Sequence, residues 1–469
     1  MASGFGDVVL LGIGSSTKAA AAYLLGLPEG AVSSVTVYGG SAPREAGEAL
    51  EALGARVVWD SEELDRPYDL AVSSPGLPCS SPLYQSAVAR CAEVVSEPEL
   101  AWRESPRDWV AVTGTNGKTT TTSLVRHLFE EAGRPVRAVG NIGLPPVACV
   151  ADRAEGEVFA AELSSFQLHG TVLFAPRVAV LLNVTPDHLE WHGTFEAYAA
   201  DKERVFANMT GRDLCVLGDD GPCRAMAERL RLRGLPVVVV GEVPCACEAH
   251  GAWLADDGRL TVRLGGCEHA LCRWDEMALK GPHNLQNSLA AAAAALFMGV
   301  SDEAVARGLL GFSPLAHRVE PCGEADGVAF VDDSKATNTD AALKALAAFE
   351  AGRVVLLLGG HDKLTDLTDL ARAAVDRCRA VVAYGEAGER IEGALRAAAA
   401  ERPGASVVRA ATMARAFEAA CAAAQPGDTV LLSPACSSFD EFSGYKQRGE
   451  AFRRLVAERA ARCAGEGRS

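Results

Sequence analysis

Thr113-Gly114-Thr115-Asn116-Gly117-Lys118-Thr119-Thr120 stands between an apolar run that reads as a strand and a segment that reads as a helix. Amides at a helix N-terminus cradle phosphate oxygens, a lysine ammonium neutralises β and γ phosphates, and a threonine hydroxyl can ligate Mg²⁺. ATP is the expected tenant. Val112 stands where the common phosphate loop carries its first glycine, so this loop is shorter. A second glycine turn, Gly12-Ile13-Gly14, also opens a helix, but Thr17 replaces the third glycine of a dinucleotide fingerprint and no acid ends the next strand, which runs Val37, Tyr38, Gly39, Gly40. A nucleotide other than NAD, or only a tight turn, is expected there.

Further polar residues follow apolar strands, where the loops of a parallel sheet gather ligands. Glu162 ends one such strand and reads either as a Mg²⁺ ligand or as a solvated rim charge. His188, in Asn183-Val184-Thr185-Pro186-Asp187-His188, reads as a ligand or as the neighbour of a helix cap. Lys202 lies in the charged helical run Asp201-Lys202-Glu203-Arg204, whose plain reading is a solvated face. Toward the C-terminus come Ala316-His317-Arg318, Asp332-Asp333-Ser334-Lys335-Ala336-Thr337-Asn338, Gly359-Gly360-His361-Asp362-Lys363 and Ser433-Pro434-Ala435-Cys436-Ser437-Ser438-Phe439-Asp440. These supply an acid suited to ribose hydroxyls and cations suited to carboxylate or phosphate.

The elements that must position these groups are strands alternating with helices. Strands are expected at 7–13, 34–38, 56–59 and 69–73, again from 109–113 through 158–161 and 178–182, and finally at 328–332, 353–358, 380–384 and 429–432. Residues 236–264 read as a small antiparallel annex. The chain of 469 residues is expected to be an α/β protein of three domains. These are a Rossmann-like N-terminal domain at 1–104, a central P-loop ATPase-type domain at 105–314 and a Rossmann-like C-terminal domain at 315–469, with a hinge near Pro314. The balance of 45 Lys+Arg against 61 Asp+Glu, a net charge of −16, disfavours nucleic acid. The apolar run from Leu289 to Met298 falls short of the about 18 residues of a membrane span. The N-terminal segment lacks a basic stretch and a cleavage site, so a cytoplasmic protein with reduced thiols is expected. The close pair Cys245 and Cys247 lacks partners at zinc-site spacing.

Taken together, the constellation resembles the Mur ligases, ATP-dependent enzymes that add amino acids to the UDP-linked peptidoglycan precursor. The phosphate loop is shared with folylpolyglutamate synthases. Glu162-Leu163-Ser164-Ser165-Phe166-Gln167-Leu168 and the stretch at 431–440 are similar to the branch that adds D-glutamate to UDP-N-acetylmuramoyl-L-alanine, and the Asn-Pro-Arg signature of the diaminopimelate-adding branch is absent. The resemblance implies a carbon–nitrogen ligase of cell-wall synthesis, acting through an acyl phosphate as a monomer. It places ATP on Gly114, Thr115, Asn116, Gly117, Lys118, Thr119, Thr120, Asn284, Asn287, Arg318 and Asp333. Two Mg²⁺ ions fall to Thr119, Glu162, His188 and Lys202, the last as a carbamate, with Lys335 at the reacting groups. The UDP substrate falls to Ser15, Ser16, Ser74, Pro75, Gly76, Asn141, Gln167 and His188, and D-glutamate to Thr337, Lys363, Ser438, Phe439 and Tyr445. The resemblance also implies that the last domain closes on the other two. The departures are Tyr38-Gly39-Gly40, where the family places an acid near uracil, and Tyr445 in place of a Phe. The alternatives are another amide ligase of the superfamily and a regulatory P-loop ATPase.

Overall fold

The computed structural model describes residues 4–40, 44–245, 248–313, 315–401 and 404–466. Pro314, the expected hinge, and Cys247 lie outside them. The described chain divides into two compact units, one up to Phe312 and one from Ser313.

The first unit begins with five strands, β1 (Asp7–Leu11), β2 (Ser34–Gly40), β3 (Arg56–Trp59), β4 (Leu70–Ser73) and β5 (Val94–Ser96), in the order β3-β2-β1-β4-β5. All are parallel. A second parallel sheet follows, with β6 (Trp109–Thr113), β7 (Val136–Gly140), β8 (Val158–Glu162), β9 (Val178–Leu181), β10 (Leu214–Leu217) and β11 (Val237–Val239) in the order β11-β10-β9-β6-β8-β7. Its central strands read as unbroken apolar runs because helices cover both faces, and β6 is buried at every residue. The antiparallel annex is real, but it lies later than expected, at β12 (Gly251–Leu254), β13 (Arg259–Leu264) and β14 (Cys267–Arg273). The Val237–Val239 run instead pairs with β10 at the edge of the parallel sheet.

The second unit holds β15 (Glu320–Ala325), β16 (Val328–Asp332), β17 (Val354–Gly359), β18 (Cys378–Tyr384), β19 (Ser406–Arg409) and β20 (Thr429–Ala435), ordered β15-β16-β20-β17-β18-β19. Only β15 runs antiparallel to its neighbour. Among the described residues no helix is long and apolar enough to cross a membrane.

The two sheets of the first unit share one apolar cluster, from Val8 and Leu10 to Trp109, Phe159 and Leu181. Two buried acids of the helix Glu97–Glu104 join them. Glu99 accepts the backbone N–H groups of Val172, Leu173 and Phe174 at 2.9–3.0 Å and pairs with Arg103. Glu97, 1 % exposed, accepts the Val147 N–H at 2.6 Å through one oxygen, and the other has no hydrogen-bond partner among the described residues. Burial pushes the Glu97 carboxyl up to about 8. Because the folded form holds its proton above the ordinary value of 4.5, stability falls as pH rises from there to about 8 and then levels off. Glu97→Gln, which keeps the acceptor and cannot ionise, is expected to melt at a higher temperature than the parent at pH 8. The gap should close at pH 5, as read by thermal melts across that window.

Candidate active site

The phosphate-type loop leaves β6 and enters the helix Lys118–Glu131. Gly117 caps that helix at φ +85°, where any L side chain is strained, and an added Cβ would also press on the Asn287 carboxamide. The loop is braced from the end of β9. Thr115 N–H donates to Asn183 O at 2.9 Å, Asn116 N–H to Asn183 Oδ1 at 2.8 Å, and Thr185 N–H to Thr115 Oγ1 at 3.0 Å. Lys118 Nζ folds back to donate to the carbonyls of Gly114 and Thr115 at 2.8 and 2.9 Å.

Lys202 departs most from its plain sequence reading. The helix Phe195–Glu203 does not present it to solvent; the side chain is 2 % exposed and its Nζ donates to Gly114 O at 2.9 Å, on the carbonyl that Lys118 also reaches. Its amine lies 4.5 Å from the Tyr198 ring centroid. Burial, with the Lys118 charge adding to it, holds the Lys202 amine well below the ordinary lysine range.

Glu162 is no rim charge either. It ends β8 at 1 % exposure, with Oε1 accepting Asn141 Nδ2–H at 3.0 Å and Oε2 buried without a hydrogen-bond partner among the described residues. A buried carboxylate oxygen left open beside a phosphate loop is a hard-cation ligand in waiting, so the residues present fit Mg²⁺. His188 caps the short helix Leu189–His192 in the left-handed conformation, φ +54°. Its ring lies edge-on to Phe166, with Asp187 and Glu190 oxygens at 3.6 Å. A non-glycine residue held at positive φ on a strand-end loop is a sign of a functional constraint.

Asn287, 4 % exposed, stands beside Gly117 and donates from Nδ2 to Asn284 Oδ1 at 3.2 Å. Gln167 commits its carboxamide oxygen locally: it forms a capping box with Ser164, whose backbone N–H donates to Gln167 Oε1 at 2.9 Å. In the first sheet, Ser15 and Ser16 begin the helix Ser15–Leu25, and Ser74 lies against Gly12, where an added Cβ would meet its Cβ at 3.2 Å. Pro75 and Gly76 follow the end of β4. Tyr38 is fully buried, its hydroxyl 3.0 Å from Asp65 Oδ1, and Gly39 is covered by Trp59 and Ile13. Tyr38 therefore belongs to the core rather than to a base contact.

The second unit gathers its own cluster at the C-terminal edge of β16, β17 and β20. Asp333, 6 % exposed, accepts from Ser433 Oγ at 2.7 Å and Val319 N–H at 3.2 Å. Burial pushes its carboxyl up to about 7, against the favourable effect of those bonds. Lys335 Nζ sits 4.0 Å from the centroid of the Tyr445 ring, a cation–π contact. The Tyr445 ring is thus engaged with Lys335. Arg318, Thr337 and Lys363 are half-buried, Ser438 is buried and Phe439 is 70 % exposed.

Sequence reasoning missed several residues. Arg448 is fully buried in the helix Tyr445–Glu466 and donates to the carbonyls of Ser437, Ser334 and Cys436 at 3.2, 2.9 and 3.0 Å. It ties together two of the strand-end loops, and nothing in its helical sequence context sets it apart from the surface arginines nearby. Ser165, His192 and Asp201 form a buried line near Lys202. Burial opposes charge on Asp201, but hydrogen bonds from His169 and His192 outweigh it and hold its carboxyl below the ordinary range.

Two family models match the chain, the Mur ligase middle domain at residues 112–295 and the Mur ligase glutamate ligase domain at 317–436. The chain belongs to the Mur ligase family. Within it, a protein of Salinibacter ruber is 43 % identical over 424 residues, covering 88 % of this chain and 89 % of its own. One of Rubrobacter xylanophilus is 41 % identical over 457 residues, covering 97 % and 98 %. Both are named UDP-N-acetylmuramoylalanine–D-glutamate ligase, and it is to this branch that the chain is similar over nearly its whole length. Among solved structures, MurF ligase from Thermotoga maritima in complex with ADP superposes with a TM-score of 0.57 at 17 % identity, covering 86 % of this chain and 97 % of that one. At that identity the likeness speaks for the fold.

Proposed function

We propose that the chain joins D-glutamate to UDP-N-acetylmuramoyl-L-alanine with ATP as the energy source, as a monomeric cytoplasmic enzyme of peptidoglycan precursor synthesis. The amino acid and the precursor come from the names of its relatives. The observation that carries the reaction class is Lys202, a buried amine of lowered basicity on the loop carbonyl that Lys118 shares. A neutral amine is the form that attacks CO₂: a C–N bond forms, one N–H proton leaves to water, and a carboxylate-like ligand results. Mg²⁺, held by Thr119, Glu162, His188 and the Lys202 carbamate, would offset charge on the β and γ phosphates.

Gly114 to Thr120 hold the triphosphate, and Asn284 and Asn287 the adenine side. The precursor's terminal carboxylate attacks the γ-phosphorus, the bond to the β,γ-bridging oxygen breaks, and ADP leaves an acyl phosphate. The D-glutamate amine attacks the activated carbonyl, loses a proton, and expels inorganic phosphate. Lys118 places its charge where it builds up in the first step. Residues 1–104 are assigned to the UDP end, through Ser15, Ser16, Ser74, Pro75 and Gly76, with Asn141 and Gln167 toward the sugar, and 105–314 to ATP. Residues 315–469 are assigned to the amino acid and part of ATP, with Arg318 and Asp333 for the nucleotide, Lys335 for the reacting groups, and Thr337, Lys363, Ser438, Phe439 and Tyr445 for D-glutamate.

Phosphate release from ATP is expected to require both UDP-N-acetylmuramoyl-L-alanine and D-glutamate. Release indifferent to D-glutamate, or equally fast with L-glutamate or diaminopimelate, would overturn the assignment.

A further inference from the structure

The helix carrying Lys202 sets Tyr198, with Phe195 and Ala199, against the apolar core of the first unit. Of the nine residues of Phe195–Glu203, those buried are Tyr198, Asp201 and Lys202, so an acid and a base are carried into the interior side by side. It is too short to be stable alone, since isolated helices below about 12 residues are marginal in water. The neighbouring helices Ser165–His169 and Leu189–His192 are shorter still. Apolar burial is non-directional, so directional polar contacts at the point where these three pieces meet set their angle.

Asp201 occupies that position. Its carboxylate lies between two imidazoles, with His169 Nδ1 at 2.9 Å from Oδ1 and His192 Nδ1 at 2.9 Å from Oδ2. An ionised carboxylate only accepts, so both rings carry hydrogen on Nδ1. In neutral His192 the far nitrogen, Nε2, is then an acceptor, and Ser165 Oγ stands 2.9 Å from it. The His192 side chain is 0 % exposed, stacked on Phe166 at 5.4 Å and edge-on to Tyr198 at 5.2 Å. The Tyr198 hydroxyl reaches Thr115 Oγ1 at 3.0 Å, in the phosphate loop. One line of hydrogen bonds therefore runs from Ser165, three residues past Glu162 at the end of β8, through His192 to the residue beside Lys202.

We propose that Asp201 and His192 are positioning residues for Lys202: the carboxylate clamped between two imidazoles fixes the Phe195–Glu203 helix so that the next side chain lands on the Gly114 carbonyl. This rests on the reading of Lys202 as the carbamate-bearing residue. Asp201→Asn and His192→Gln each break the clamp with little change in volume, and neither residue is placed on substrate or metal.

The test uses the full chain supplied with carbon-13 bicarbonate and follows the carbamate carbon signal without ATP or Mg²⁺, alongside kcat and KM for each substrate. Misplacement of a reacting group by about 1 Å costs on the order of 10²-fold, so kcat is expected to fall by that order. KM for ATP should stay within about twofold. The carbamate signal should weaken, and added bicarbonate should restore part of both signal and kcat. Glu203→Gln, which loses only a surface pair with Arg229, serves as the control. Parental kcat per folded molecule and parental carbamate signal in the clamp variants would overturn the proposal, even with a lowered melting temperature. If Asp201→Asn does not fold, His192→Gln decides alone. A parent showing no signal that Lys202→Ala removes would overturn the carbamate reading and this inference with it. A parental signal unchanged in the clamp variants would overturn this inference only.

Discussion

Lys202→Ala is expected to lower turnover by at least about 10³-fold, the scale on which removing a preorganised charge from a reacting centre acts, and formate or acetate should restore part of it. The side chain is 2 % exposed, directed at Gly114 O, and held below the ordinary lysine range by burial and by Lys118. A lysine kept for stability would not be placed so, because burying an ammonium costs free energy and burying it beside another cation costs more. The placement makes sense if the amine becomes an anion, which Lys118 would then favour rather than oppose. Alanine leaves a space in which a small carboxylate can stand where the carbamate stood. Lys202→Met fills that space with an apolar chain of similar length. It is expected to be inactive, not rescued, and to melt at or above the parent, since it removes a buried group whose charged form the site disfavours. Steady-state rates with and without formate, together with thermal melts of the three proteins, check this. Equal activity of Lys202→Met and the parent would end the carbamate reading.

Lys118→Ala should cost as much, at least about 10³ in kcat/KM, or about 4 kcal/mol of transition-state stabilisation. The loop itself is expected to survive, because its form rests on Asn183, Thr185 and the left-handed Gly117 rather than on the ammonium. ATP affinity, measured by calorimetry, should therefore change much less than turnover. A second consequence follows from the shared Gly114 carbonyl. Removing Lys118 removes one of the two main influences that lower the Lys202 amine, so a larger fraction of it is protonated and less reacts with CO₂. The effects should not add: Lys118→Ala with Lys202→Ala should be little slower than the worse single variant. Strict additivity would mean that the two lysines serve unconnected steps.

Much of the fold was legible because parallel strands buried on both faces are nearly continuous apolar runs, and strands such as Trp109–Thr113 and Val328–Asp332 begin and end where that reading puts them. The annex was misplaced because Val237–Val239 satisfies a parallel edge as well as an antiparallel hairpin, and only pairing with β10 distinguishes them. Glu162 and Lys202 show the limit for the site. By local pattern each is a charge at a strand end or on a helix, and burial is a property of what packs against it from far along the chain. Gln167 shows the reverse, since the commitment of its carboxamide oxygen follows from Ser164 three residues earlier, a spacing present in the sequence.

The sequence by itself determined the phosphate loop, the alternation of strands and helices, and the strand-end positions of the polar clusters. Each is a short-range matter of backbone conformation, periodicity and helix capping. The tertiary structure alone decided that Lys118 and Lys202, 84 positions apart, share one carbonyl, that one Glu162 oxygen is left open, and that Asp201 bridges two imidazoles. Basicity and ligand capacity depend on desolvation and on neighbours a few ångströms away, and those neighbours come from elements distant in the chain.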